Sequence, residues 1–303
     1  MQNDPDISVC VVTYRRPGPL ARLLASLSRQ EGVLPKFEVV VVDNDAAGSA
    51  GAVCRQYEGT LPIRYEIEPE RGISAARNRS VRSSRGRHLV FADDDCAVGP
   101  DWLATLYGAV AKSSADGLIG PVARNVEGDL PEWVRQLAFF EQPRLAAGAL
   151  VPWYRTHTCN ACIRRSALPS AAPFDPALGL IGGEDVDLFA RMIEKGARLE
   201  AIETPVMDEY RPAFRANAAW HLRRSFRNGG TIAHIQWRRA SGGRKARLAL
   251  HALWKATSYF GEATVAMRRS RTAAFASVLE AATQLGKAAW VVGIVYAEYQ
   301  HPR

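Results

Sequence analysis

Three consecutive aspartates, Asp93, Asp94 and Asp95, close the apolar run of HLVFADDDCAVGPDWL, residues 88–103. Like charges at that spacing repel, and burial raises the cost further. Either solvent or something positive must offset them. Hard divalent cations such as Mg²⁺ and Mn²⁺ prefer carboxylate oxygens and leave room for substrate phosphates. A dication held there would in turn carry a diphosphate. The competing reading is an acid cluster that only caps the next helix, a task for which Asp101 is better placed. A second acidic pair, Glu184-Asp185, sits in GGEDVDLFARMIEKG. Val186, Phe189, Ala190 and Ile193 there repeat at helical spacing, and Gly196 is placed as the C-terminal cap. The pair therefore opens a helix, where the dipole favours carboxylates whether or not they react. No glycine-rich phosphate cradle is present: GxGxxG and GxxxxGK[ST] are both missing, and TYRRPGPL after the first apolar run offers only Gly18. A bound nucleotide would have to rely on metal, arginines and acids. Arg71 and Arg77, in ERGISAARN just before the acid run, are candidates, with plain surface charge as the alternative.

Strands and helices in alternation are needed to hold these groups. ISVCVVTY (7–14), FEVVVVDND (37–45), IRYEIE (63–68) and HLVFADDD (88–95) read as strands. Between them, Leu20, Leu23, Leu24 and Leu27 mark one face of a helix, a weaker helix runs over about 48–58, and ISAARNRSVRSS (73–84) makes a third. That order predicts a mainly parallel sheet covered on both faces. Thr13 and Tyr14 then end the first strand, Asp43 the second and Asp93–Asp95 the fourth. In open parallel sheets ligands bind beyond the carboxyl ends of the strands, so the acids gather on the edge where a ligand belongs. Residues 117–210 are less regular, and from about 211 the chain reads as helical to its end.

The whole chain has 303 residues and a formal net charge of +8. The charge is uneven: residues 211–303 hold 16 Lys/Arg against 3 Asp/Glu, whereas residues 1–210 hold 23 against 28. A basic third of this kind suits an anionic membrane surface, nucleic acid or an acidic partner, or is a solvated helical face. Basic excess without a recognition motif supports only non-specific nucleic-acid contact. Glu280 and Lys287 interrupt the last apolar stretch, so no bilayer span is expected, while Trp254, Trp290, Tyr296 and the arginines fit helices lying on a membrane or packed on the catalytic body. Five cysteines (Cys10, Cys54, Cys96, Cys159, Cys162) without framework spacing favour a reducing cytosol. MQNDPDISVC lacks the pattern of a secretory signal. Cys159-x-x-Cys162 with His157 supplies three soft ligands where a structural zinc needs four.

Taken in order, VCVVTYRRPGPLARLLASL, VVVVDND, ERGISAARNRSV, HLVFADDDCAVGPDWL and GGEDVDLFARMIEKG resemble the family 2 glycosyltransferases of GT-A fold, over roughly residues 7–210. Among them the sequence is most similar to bacterial enzymes of exopolysaccharide and cell-surface glycan synthesis. The resemblance implies a Rossmann-like GT-A catalytic domain over 1–210, with a nucleotide-sugar half (1–116) and an acceptor half (117–210). A basic helical region over 211–303 would follow. It implies a metal-dependent, inverting transfer from a nucleotide sugar, UDP-linked by expectation, to a glycan or lipid-linked acceptor. Thr13, Tyr14 and Asp43 would line the nucleotide pocket, Asp43 facing the uracil. Arg71 and Arg77 would sit near the donor diphosphate. Asp94 and Asp95 match the family's metal and ribose acids, and Asp93 and Asp95 form the literal DxD for Mn²⁺ or Mg²⁺, so either pair is a candidate to ligate. Asp185 would be the catalytic base, with Glu184 its companion, and Asn160 matches a recurrent asparagine of the acceptor half. His221, Asp208 and Glu209 are the residues available to complete a metal shell, and Trp133, Phe139, Phe140 and Trp153 to stack on an acceptor sugar or to pack. A cytoplasmic enzyme, peripheral on the inner face of the membrane, is the expected setting. The alternative is a non-catalytic module binding nucleotide or an acidic partner.

Overall fold

A computed structural model describes residues 4–126, 144–212 and 217–300. Two compact units divide the chain. The first runs to Asn125 and takes in Pro143–Leu180 and Glu184–Tyr210; the second is built on the segment from Arg211, together with Ile181–Gly183.

The first unit is organised on a seven-stranded sheet. Its strands are β1 (Ile7–Thr13), β2 (Phe37–Asp43), β3 (Ile63–Ile67), β4 (His88–Asp93), β6 (Gly117–Ile119), β8 (Ala161–Arg164) and β9 (Leu199–Ala201), in the order β3-β2-β1-β4-β8-β6-β9. Strands β3, β2, β1 and β4 are parallel, as the alternation predicts. β8 is antiparallel to both β4 and β6, a reversal that the irregular stretch before it does not announce. A small second sheet joins β5 (Cys96–Val98), β10 (Met207–Arg211) and β7 (Val122–Val126).

The valine-rich strands are buried on both faces, which is why they read as continuous apolar runs. On one face Val9, Val11, Val39 and Val41 meet Leu20, Leu23, Leu24 and Leu27 of α1 (Pro17–Leu27) and Trp102, Leu103 and Leu106 of α4 (Trp102–Lys112). On the other, Cys10, Leu89 and Phe91 meet Phe174 and the Leu188, Phe189 and Met192 side of α5 (Glu184–Glu194). α2 (Gly51–Tyr57) and α3 (Ile73–Ser83) complete the cover. Asp101 precedes α4 but makes no capping bond to its backbone; it accepts from the Thr105 hydroxyl instead. Gly196 ends α5 at φ +93°, a conformation that suits glycine.

Among its described residues the second unit has three α-helices: α6 (Ala218–Trp237), α7 (Gly242–Ala266) and α8 (Arg271–Val291). α6 and α8 touch backbone to backbone, because a Cβ on Gly229 would meet the Thr283 carbonyl and one on Gly286 the Phe226 carbonyl. Among the described residues no helix is long and apolar enough to cross a membrane.

Candidate active site

Register brings the strand ends level. Thr13 pairs across from Asp43, and Val12 from Asp93, so the last residues of β1, β2 and β4 share one edge. Asp94 and Asp95 turn the chain from β4 into β5.

Two arginines offset the three acids. Arg16, at the mouth of α1, donates from Nη1 to Asp94 Oδ1 (2.5 Å) and from Nη2 to Asp95 Oδ2 (3.0 Å). The Thr13 hydroxyl donates to the other Asp94 oxygen at 2.7 Å. Arg77, on α3, donates to Asp93 Oδ1 at 3.1 Å and, through its other nitrogen, to Glu184 Oε1. The pairing does not fully compensate. Burial pushes Asp93 up to about 6, against the pull of Arg77, with Asp95, Glu209 and Asp185 adding repulsion. Burial likewise pushes Asp94 up to about 7, against Arg16.

This donor set fits a hard divalent cation. Asp93 is the least enclosed of the row, its side chain half-buried at 37 % exposed against 7 % for Asp94 and 6 % for Asp95. Both oxygens of Asp94 are already engaged, by Thr13 and Arg16. Asp94 anchors the row to β1 and Arg16, and Asp95 shares Arg16 with it.

Glu184 and Asp185 open α5, as their position in the sequence predicts. Glu184 is buried on Arg77, which ties the start of α5 to the end of β4. Asp185 is half-buried, accepts from the Val186 N–H at 2.8 Å, and is close enough to Asp93 to raise its pKa. Arg77 thus stands between the two acidic groups, its guanidinium also lying 5.7 Å from the Phe174 ring centroid.

Asp43 is wholly buried. Its carboxylate accepts from the Asp45 N–H (3.0 Å), the Ala50 N–H (2.7 Å) and the Tyr65 hydroxyl (3.0 Å), so it orders the loop from β2 to α2. Tyr14 lies between two guanidiniums, those of Arg15 and Arg71, each 5.2 Å from its ring centroid. Arg15 adopts φ +53° and is held by Asp45 at 3.1 Å. Arg71 is placed by Asn44, whose amide donates to the carbonyls of Glu68 and Glu70 and accepts from the Gly72 N–H. Gly72 has φ +132°, and a Cβ there would press on the Gly179 backbone, which is why ERGIS carries glycine at that point.

Arg16, Asn44 and Asp45 also belong to this edge, although no motif or spacing in the sequence singles them out. Arg16 had a signal of another kind: it follows β1 on the edge where uncompensated acids collect. Asn44 and Asp45 follow Asp43 at the end of β2.

Other residues find structural places. Asn160, at φ +62° and wholly buried, accepts from Trp102 Nε1 and donates to the carbonyls of Pro121 and Pro205. His157 Nδ1 lies 2.6 Å from the Cys159 carbonyl and must be its donor; burial holds the ring below the usual imidazole range. Cys159 Sγ meets Cys96 Sγ at 3.2 Å, and burial alone pushes Cys162 up to about 12. Glu209 faces Arg124 at 3.6 Å and Asp208 accepts from Asn125. His221 is buried in α6. Trp153 meets Tyr154 edge to face, whereas Trp133, Phe139 and Phe140 lie outside the described residues.

A sequence-family model described as "Glycosyl transferase family 2" matches residues 8–169. The succinoglycan biosynthesis protein ExoM of Rhizobium meliloti (strain 1021) is 36 % identical over 248 residues, covering 80 % of this chain and 78 % of that protein. Validoxylamine A glucosyltransferase of Streptomyces hygroscopicus subsp. jinggangensis (strain 5008) is 28 % identical over 220 residues, covering 63 % of this chain and 52 % of its own length. In fold, the chain is similar to the crystal structure of S. aureus TarS 1–349 (TM-score 0.57, 14 % identity, 96 % of this chain and 93 % of that one). It is similar also to the mannosyltransferase PcManGT of Pyrobaculum calidifontis in complex with GDP-Man and Mn²⁺ (TM-score 0.56, 20 % identity, 96 % and 75 %).

Proposed function

Because the chain belongs to glycosyl transferase family 2 and is a glycosyltransferase of GT-A fold, we propose that it moves a hexose from a UDP-sugar to a glycan or lipid-linked acceptor, with inversion at the anomeric carbon. Membership sets aside the reading as a non-catalytic binding module. The relation to a succinoglycan biosynthesis protein supports a role in building an extracellular polysaccharide. The domain reading is a catalytic body over 1–210 and a basic helical region over 211–303 that faces an anionic membrane surface on the cytoplasmic side.

One observation carries the mechanism: Arg77 joins the acid row to the helix that presents Asp185. Asp185 takes the proton of the attacking acceptor hydroxyl. General base catalysis of this kind contributes ~10²–10⁴-fold. Thr13 and Arg16 fix the Asp94–Asp95 turn that follows Asp93. The carboxylates of Asp93 and Asp95 would hold Mn²⁺ or Mg²⁺, which when bound offsets charge on the departing diphosphate. Tyr14 and Arg71 flank the nucleotide, the arginine presenting its charge to the diphosphate. Asp43 shapes the base end of the pocket through the loop it orders.

The test is Asp185→Asn, assayed against a panel of nucleotide sugars with Mn²⁺. Turnover falls by about 10²-fold or more while donor binding, read as thermal stabilisation, persists. Near-normal turnover defeats the assignment.

A further inference from the structure

A helix packed on a protein body ordinarily carries one apolar stripe. α7 carries two. Ala252, Ala256 and Ala263, at i, i+4 and i+11, are buried, and Ala252 joins the cluster of Ala233, Trp237 and Leu248. Their small size lets α7 lie close on its neighbour α8. Leu250, Trp254 and Val265, at i, i+4 and i+15, fall on the opposite face and are 67 %, 64 % and 60 % exposed. Leu253 and Phe260, 43 % and 44 % exposed, lie on the flank between the two faces. Leu250 and Trp254 are one turn apart, and Val265 lies on the same side beyond Thr257, Ser258 and Gly261; exposed apolar groups gathered on one side of a helix, rather than scattered singly, mark a contact surface.

The charges around the stripe say what it contacts. Residues 242–269 hold six Lys/Arg (Arg244, Lys245, Arg247, Lys255, Arg268, Arg269) and one acid, Glu262. Of these, Arg244, Arg247, Lys255, Arg268 and Arg269 are exposed. A second copy meeting the first through this face would bring two cationic rims together, which repel. A surface of anionic lipid offers the complement of both features: phosphates for the rim and a headgroup–acyl boundary for Leu, Trp and Phe. Tryptophan in particular settles at that boundary.

We propose that the outward face of α7 lies flat on an anionic lipid surface, with Leu250, Trp254 and Val265 entering the interface and Arg244, Arg247 and Lys255 meeting lipid phosphates. This narrows the membrane-facing part of the proposed function to one helix face and needs none of its sugar chemistry.

The full chain, incubated with vesicles, co-sediments with phosphatidylcholine–phosphatidylglycerol mixtures and much less with phosphatidylcholine alone; added salt weakens it. Leu250→Ser with Trp254→Ser lowers the partition by about tenfold or more, since two large apolar groups no longer enter the interface. Both residues are exposed, so the melting temperature of the variant stays with the parent. Arg244→Gln with Arg247→Gln and Lys255→Gln removes the preference for phosphatidylglycerol. Asp185→Asn binds vesicles like the parent, so failure here and failure of the catalytic reading are told apart. The proposal is overturned if the parent does not bind, or if the Leu250/Trp254 variant binds unchanged. It is overturned equally if light scattering shows a dimer that this variant splits, which would make the occupant a second copy.

Discussion

Replacing Glu184 with glutamine isolates the claim that Arg77 is a buried bridge rather than a phosphate-binding side chain. The two side chains are 7 % and 2 % exposed, so their charges are out of water and depend on each other. Removing one partner of such a pair costs about 3–5 kcal/mol, because the other charge stays buried. Here Asp93 still offers Arg77 one contact, which places the loss near the lower end, about 3 kcal/mol. For a chain of this size that is a melting temperature lower by about 5 °C. Urea unfolding should show the midpoint moving at constant slope. Arg77→Met should cost a similar amount. Arg77→Met with Glu184→Gln should be more stable than the sum of the single losses by roughly 2 kcal/mol, the signature of a coupled pair. Single variants within about 1 kcal/mol of the parent, or an additive cycle, would refute the bridge. In that case Arg77→Met should instead raise KM for the donor, as a ligand of the diphosphate would.

Three further outcomes follow from other parts of the molecule. Chelation with EDTA should abolish transfer and added Mn²⁺ or Mg²⁺ restore it, while Asp93→Asn should resist rescue; activity that survives exhaustive chelation contradicts the reading of the acid row. His221 is lowered to about 4 by burial, with Arg211 and Arg224 adding to the effect, so the fold favours neutral imidazole. Its stabilising effect is whole above the unfolded value near pH 6.5 and is lost as pH falls towards 4, by at most ~1.4 kcal/mol per unit; melting curves between pH 7 and 5 should flatten in His221→Gln. Gly286→Ala would drive a methyl into the Phe226 carbonyl and should cost about 1–3 kcal/mol by forcing α6 and α8 apart, read as a lower melting temperature.

The parallel half of the sheet was legible because its signals are local. Valine runs with polar ends give both the strands and the edge on which Thr13, Asp43 and Asp93 sit, and the spacing of Val186 to Ile193 gives the helix that Glu184 opens. β8 was not legible: four residues, ACIR, after an irregular stretch carry no period, and the direction of a strand is a property of its neighbours. The partners of the acids were equally hidden. Arg77 and Glu184 are 107 residues apart, and only the packing of α3 beside α5 brings them together. Arg16 stood in a motif read for glycine, so its charge was overlooked although the acid row asked for one. Asp43 illustrates a different limit, since a carboxylate at a strand end looks the same in sequence whatever donors it gathers, here the Asp45 and Ala50 N–H groups of its own loop and the Tyr65 hydroxyl of β3.

Strand β8 runs against β4, and this has a consequence for how such an enzyme can diversify. Its entrance lies beside its neighbours' exits: Ala161 sits opposite Phe91, and the Asn160 N–H donates to the Phe91 carbonyl. The connection arriving at residue 160 is therefore delivered to the same rim as the fixed carboxylates, yet it hangs from only four paired residues. New lengths and side chains can be spliced in upstream of Asn160 like fittings exchanged beside a permanent socket, changing what is offered to the rim while the valine strands behind it stay as they are.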